Sequence, residues 1–189
     1  ENRFATCYSN SSLAKFGHNV SSPVEELTLK QYSSDTCDPR FIKFHIIING
    51  WNCEADVDRC LVSLANQRPG PYIFSVTIVN DGSTDLTFNR LVNSPLFPKS
   101  NLINLASNNG PAFARHIGIT SVKEHDSVLV LVDMDDELLP NALSCVAERY
   151  RANSSCLMTI GNWIDQHGRV NPQRFYSRDE IDNQLVRQV

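Results

Sequence analysis

The sequence predicts an α/β fold, a mostly parallel sheet flanked by helices, and three observations carry that prediction. Apolar runs of strand length alternate with stretches of helical period along most of the chain. Within SVLVLVD at 127–133 the residues 128–132 are continuously apolar, as expected of a strand covered on both faces of a parallel sheet. It ends in three carboxylates, Asp133, Asp135 and Asp136, and open parallel sheets keep their sites at the carboxyl ends of their strands.

Residues 1–40 are polar and serine-rich, with one short helical turn expected at 24–32, and read as a wrapping or linker segment. Residues 41–189 are expected to form the functional domain. FIKFHIII is a first strand, followed by a turn at Asn49, Gly50, Trp51 and Asn52. A helix over 54–66 carries Val57, Cys60, Leu61 and Leu64 at helical spacing and stops at Arg68-Pro69-Gly70-Pro71. Residues 72–79 form a second strand, followed by the polar loop Asn80 to Asp85 and a short helix over 86–92. A weak third strand spans 101–105. The loop Ser107-Asn108-Asn109-Gly110-Pro111 has N-cap chemistry and a proline for the first turn of a helix reaching about 123. After the fourth strand, Pro140 is expected to open a helix to about 150. A fifth strand over 156–164 and a turn at Gln166-His167-Gly168 then make a short hairpin near the C-terminus.

Composition sets limits on the partners. Of 189 residues, 20% are charged and the net charge is -4, so no basic surface suits a nucleic-acid polymer. No apolar run approaches the length of a membrane span. None of the six cysteines forms a close CxxC pair, which argues against a structural zinc site. Cys53 and Cys60 lie about two helical turns apart, too far for a disulfide. Cys60 and Cys145 read as small apolar residues on helix faces, and Cys7 and Cys37 are the pair that could bridge the N-terminal segment. Sequons at Asn10, Asn19 and Asn153 fit a secretory lumen, but a chain rich in Asn and Ser also produces sequons by chance, so cytoplasm and secretory lumen stand about even. The chain opens on Glu1 rather than Met, compatible with a trimmed piece of a longer protein.

In a parallel sheet the loops at 49–52, 80–85 and 133–136 open on one edge and can line a single cleft. Three carboxylates so close together call for a positive partner. Their hard oxygens suit a divalent cation such as magnesium, calcium or manganese.

The ordered motifs IIINGWN, SVTIVNDGSTD, NNGPAFARHIGI and VLVLVDMDDELLPNAL, with their spacings, resemble the nucleotide-sugar half of the family 2 inverting glycosyltransferases of GT-A (Rossmann-like) fold. The resemblance covers residues 41–164. It implies a nucleoside diphosphate sugar donor, UDP-linked, a glycan or other hydroxyl acceptor, and Mn2+ or Mg2+ as cofactor. Asp81 matches the aspartate that accepts a hydrogen bond from the base, as a carboxylate can from an imide N–H. Asn52 matches a neighbour in that pocket. Asp133 matches the aspartate facing ribose and metal, and Asp135 the one that holds the metal against the diphosphate. Asp136 is expected to cap the next helix.

Asn109, Gly110 and Arg115 match the family's Asn-x-Gly and Ala-Arg elements. Arg115 would bring a cationic fork to phosphate or base, or else make a salt bridge on the helix surface. His116 stands where the family has asparagine and is expected to be a buried, hydrogen-bonded histidine. Trp51 replaces a commoner tyrosine and keeps a stacking surface. The general base that strips the acceptor hydroxyl lies further downstream in the family; the carboxylates available for it are Asp165, Asp179 and Glu180.

Two further readings share these motifs. One is a fragmentary or non-catalytic module that binds a nucleotide sugar without turnover. The other is a nucleotidyltransferase, which would want a glycine-rich basic loop after the first strand. Asn49-Gly50-Trp51-Asn52 contains no Lys or Arg.

Overall fold

The apolar run after Phe41 becomes the middle of a sheet. In the computed structural model, residues 41–96, 102–123, 126–165 and 167–171 are described. Residues 41–152 belong to one compact unit and 153–171 to another. Strand β1 (Ile42–Gly50) pairs in parallel with β2 (Tyr72–Asn80) on one side and β4 (Val128–Asp133) on the other, and β3 (Leu102–Asn104) pairs with β2. The order is β3-β2-β1-β4.

Both faces of β1 are covered, which explains its unbroken apolar sequence. Phe44, Ile46 and Ile48 enter a core with Val76 and Ile78 of β2. Helices α1 (Val57–Ala65), α2 (Thr87–Asn93) and α4 (Ala142–Ala152) close that face through Val57, Cys60, Leu61, Leu64, Leu91, Leu143 and Ala147. Ile47 and Val79 point to the opposite face, where α3 (Pro111–Thr120) lies so close that a Cβ on Gly118 would sit 2.4 Å from Ile47 Cγ2. Ile46, Ile47 and Ile48 are fully buried. Each such side chain contributes roughly 1.5–3 kcal/mol through removal from water. On the α3 face the buried His45 ring is held by hydroxyls, Nε2 to Thr77 Oγ1 at 2.9 Å and Nδ1 to Ser75 Oγ at 2.8 Å.

Parallel crossovers are right-handed, so the connections β1 to β2 to β3, which run one way across the sheet, and the connection β3 to β4, which runs back, use opposite faces. This places α1 and α2 on one side and α3 on the other. It also makes β1 and β4 the pair at which the strand order reverses, the place where open α/β sheets form a crevice.

Three expectations need correcting. β4 is not covered on both faces: Leu129 and Leu131 are exposed, because β4 is at the edge of the sheet among the described residues. The helix expected from Pro140 begins at Ala142. Its approach is held along α1 instead: Ser63 Oγ accepts from Leu138 N, Gln67 Nε2 donates to Leu139 O, and Arg68 N donates to Pro140 O. The fifth strand is only β5 (Trp163–Ile164), antiparallel to β6 (Val170–Asn171), so the C-terminal hairpin is present but short. The wrapping segment, its helical turn and the Cys7–Cys37 pairing lie outside the described residues, whereas Cys53, Cys60 and Cys156 are free thiols. Among the described residues no helix is long and apolar enough to cross a membrane.

Candidate active site

Strand register brings the polar loops to one edge. Gly50 pairs with Asn80, Asn80 with Asn104, and Asn49 with Asp133. The loops after β2 and β4 flank β1, so they stand roughly 10 Å apart at the usual strand spacing.

The loops after β1 and β2 are stitched together. Asn52 adopts φ 54°, accepts from Thr84 N through Oδ1 at 2.8 Å, and donates its own N–H to Ser83 Oγ at 2.9 Å. Cys53 N donates to Thr87 Oγ1 at 2.7 Å. Asp85 accepts from Glu54 N and Thr87 N, while Glu54 accepts from Leu86 N. Burial pushes the Asp85 carboxyl up, but the hydrogen bonds from Thr87 and the backbone of Glu54 outweigh it and hold the group below its ordinary value. Asn52 therefore organises the cleft wall through its backbone and amide. Trp51 beside it is exposed and offers its ring.

Asp81 is buried and spans the gap to the next loop. Its Oδ1 accepts from Asn109 N at 3.0 Å and its Oδ2 from Gly110 N at 2.9 Å, at the positive N-terminus of α3. Each carboxylate oxygen has two lone-pair sites, so acceptor capacity is left over. Asn109 and Gly110 thus meet Asp81 as the motif order implied, but through their backbone.

Arg115 reaches Asp133 rather than standing free. Its Nη2 lies 2.6 Å from Asp133 Oδ1 and 2.7 Å from Oδ2, and Asn49 Nδ2 donates to the same Oδ1 at 3.0 Å. Met134 between the aspartates is buried, its N–H on Asn49 O; a Cβ on Gly50 would lie 2.5 Å from Met134 Cβ. Only glycine leaves room for that anchor, and the anchor leaves Asp135 and Asp136 exposed.

The donor set fits a divalent ion. Burial pushes the Asp136 carboxyl up, and the charges of Asp135 and then Asp133 push it further, a repulsion that a cation would relieve. Asp133 has Arg115 to balance it, whereas among the described residues Asp135 has no ion pair. No three His, Cys, Asp or Glu side chains among the described residues are arranged to enclose an ion. A metal that takes one or two carboxylates and completes its shell from substrate phosphates does not require such an enclosure.

Asp136 does not cap α4: the helix starts six residues later, and Gln67 Oε1 accepts from Leu143 N in its first turn. His116 is exposed, not buried, because its position on α3 faces away from the sheet. Asp165 belongs to the hairpin unit, where Oδ1 accepts from His167 N and Arg169 N, each at 2.9 Å. Asp179 and Glu180 lie outside the described residues. Asn49 stands beside Asp133, and the one mark of it in the sequence is a polar side chain ending an apolar run.

Comparison with known proteins gives the class. Residues 45–186 match Glycosyl transferase family 2, and the chain belongs to that family. A crystal structure of S. aureus TarS 1-349 is 24% identical, with a TM-score of 0.53, over 70% of this chain and 39% of its own. A crystal structure of S. aureus TarS 1-349 in complex with UDP is 27% identical, with a TM-score of 0.51, over 60% of this chain and 33% of its own. The sheet and its flanking helices are the GT-A arrangement that the motifs implied. The chain thus spans between a third and two fifths of those structures. No curated protein matches it.

Proposed function

We propose that the chain is the donor-binding part of a glycosyltransferase that moves a sugar from a UDP-linked donor to a hydroxyl acceptor, a glycan or another alcohol, with inversion. The observation that carries this is the convergence, at one sheet edge, of the Asp81–Asn109–Gly110 junction with Asp133 and Asp135. Family membership and a similar structure holding UDP support the donor class.

Asp81 offers its remaining lone pairs to the imide of uracil, and Trp51 gives a stacking face beside it. Asp133 faces the ribose. Asp135, with Asp133, would hold Mn2+ or Mg2+, and the chemistry such an ion supplies is neutralisation of the departing diphosphate. In an inverting transfer a base takes the acceptor's hydroxyl proton as that oxygen bonds to the anomeric carbon. The bond to the diphosphate breaks on the opposite face, its electron pair leaving with the nucleotide. Asp165, Asp179 and Glu180 are the carboxylates proposed for the base. Because the Asp165 carboxylate already organises the hairpin turn, a donor-binding module without turnover is the second reading.

UDP with manganese is expected to raise the melting temperature above either alone; a ligand at a hundredfold excess over Kd stabilises the fold by about 2.7 kcal/mol relative to the ligand-free chain. Asp135→Ala should lose the manganese-dependent part of that gain. A variant that responds like the parent would remove Asp135 from the metal site. Release of free sugar from UDP-sugars, followed by mass spectrometry, separates turnover from binding alone.

A further inference from the structure

We infer that Asn49 is a positioning residue for Asp133, retained for donor binding at the expense of fold stability; the inference rests on the donor-binding reading above. Asn49 sits at the end of β1, in register with Asp133 on β4, at the reversal of strand order. It is 4% exposed, and its amide nitrogen donates to Asp133 Oδ1. Its own Oδ1 is buried and, among the described residues, accepts no hydrogen bond. Turning the amide over would set oxygen against carboxylate oxygen, so the orientation is dictated by Asp133.

An orphaned buried acceptor costs free energy, and an apolar residue of similar shape would avoid that cost. On the α3 face His45, Ser75 and Thr77 satisfy one another, and the residues beside Asn49 on this face are Ile47 and, in register, Val79, both apolar and buried, so packing at this end of β1 does not ask for asparagine. What the amide supplies is a fixed acceptor geometry. Asp133 Oδ1 receives two donors, Arg115 Nη2 and Asn49 Nδ2, whereas Oδ2 receives Arg115 alone. With Oδ1 saturated from two directions, the carboxylate cannot rotate about its own axis without losing both. Oδ2 is then presented with a lone pair to spare, toward the donor's ribose or the metal it brings.

The test is Asn49→Leu, with UDP affinity measured by calorimetry and stability by chemical denaturation without ligand. The expected result is UDP binding about tenfold weaker, the size of a lost hydrogen bond to a charged group, with stability unchanged or raised. In an Asp133→Asn background, Asn49→Leu should weaken binding no further, because its effect passes through Asp133. Asn49→Ala carries the same test should the leucine be too large for the site. Loss of stability in both variants, or UDP affinity equal to the parent's, overturns the inference while leaving the donor reading intact. Equal losses in the Asp133 and Asp133→Asn backgrounds also overturn it. A parent chain that takes no UDP overturns the donor reading, and this inference with it.

Discussion

Gly82 has φ 65°, and a Cβ there would lie 2.3 Å from the carbonyl carbon of Ser107. Gly110, with φ 88°, has open space on the side where a Cβ would go. Both pay for a side chain through backbone strain, about 1–3 kcal/mol, but only Gly82 also presses on a neighbouring loop. Gly82→Ala should therefore lower the denaturation midpoint distinctly more than Gly110→Ala, and equal losses would show that the Ser107 loop yields. The string NDGSTD is legible as a turn from sequence. That its glycine abuts the loop before α3 is not, because the contact joins loops that meet only when β3 pairs with β2. The same holds for Arg115, whose cation is legible and whose partner, Asp133, is not.

At the scale of elements, α2 is short, and its first turn depends on Asp85, which also accepts from the backbone of Glu54 in the preceding loop. Asp85→Ala is expected to cost about 1 kcal/mol at neutral pH, the size of a lost helix cap. The sign of its pH dependence follows from the lowered carboxyl. A group ionised more readily when folded stabilises the fold above its unfolded value, about 3.9 for Asp, and loses that contribution as pH falls through the lower folded value. The gap between parent and variant in urea melts should thus shrink as pH drops below 4, and a constant gap would point to packing rather than charge. Strands and helices were legible because β1 and β2 carry long apolar runs and α1 a clear helical period. The start of α4 was not, since Ser63, Gln67 and Arg68 claim the backbone groups around Pro140.

At the scale of the 41–152 unit, Cys60 reports on the core. It is 1% exposed, and burial, then the nearby Asp136 charge, pushes its thiol up to about 12. The reactive thiolate is thus scarce in the folded state at pH 8. Its alkylation should therefore wait for opening of the whole core and be slowed by UDP in the ratio of bound to free protein. Peptide-resolved mass spectrometry after pulse labelling checks this; a Cys60 rate indifferent to UDP, in a chain that binds it, would show α1 opening on its own.

Hydrophobic period and turn chemistry are properties of neighbouring residues, so the sequence by itself determined the alternation of strands and helices, the parallel sheet and the acidic ends of its strands. The ordered motifs added the family and the residues to watch, Asp81, Asp133 and Asp135 among them. Only the tertiary structure decided that β4 is an edge strand with Leu129 and Leu131 exposed, that the Asp81 carboxylate is held by the backbone of Asn109 and Gly110, and that Asn49 and Arg115 converge on Asp133. Those facts depend on strand order and register, which arise from packing between distant segments rather than from any local preference along the chain.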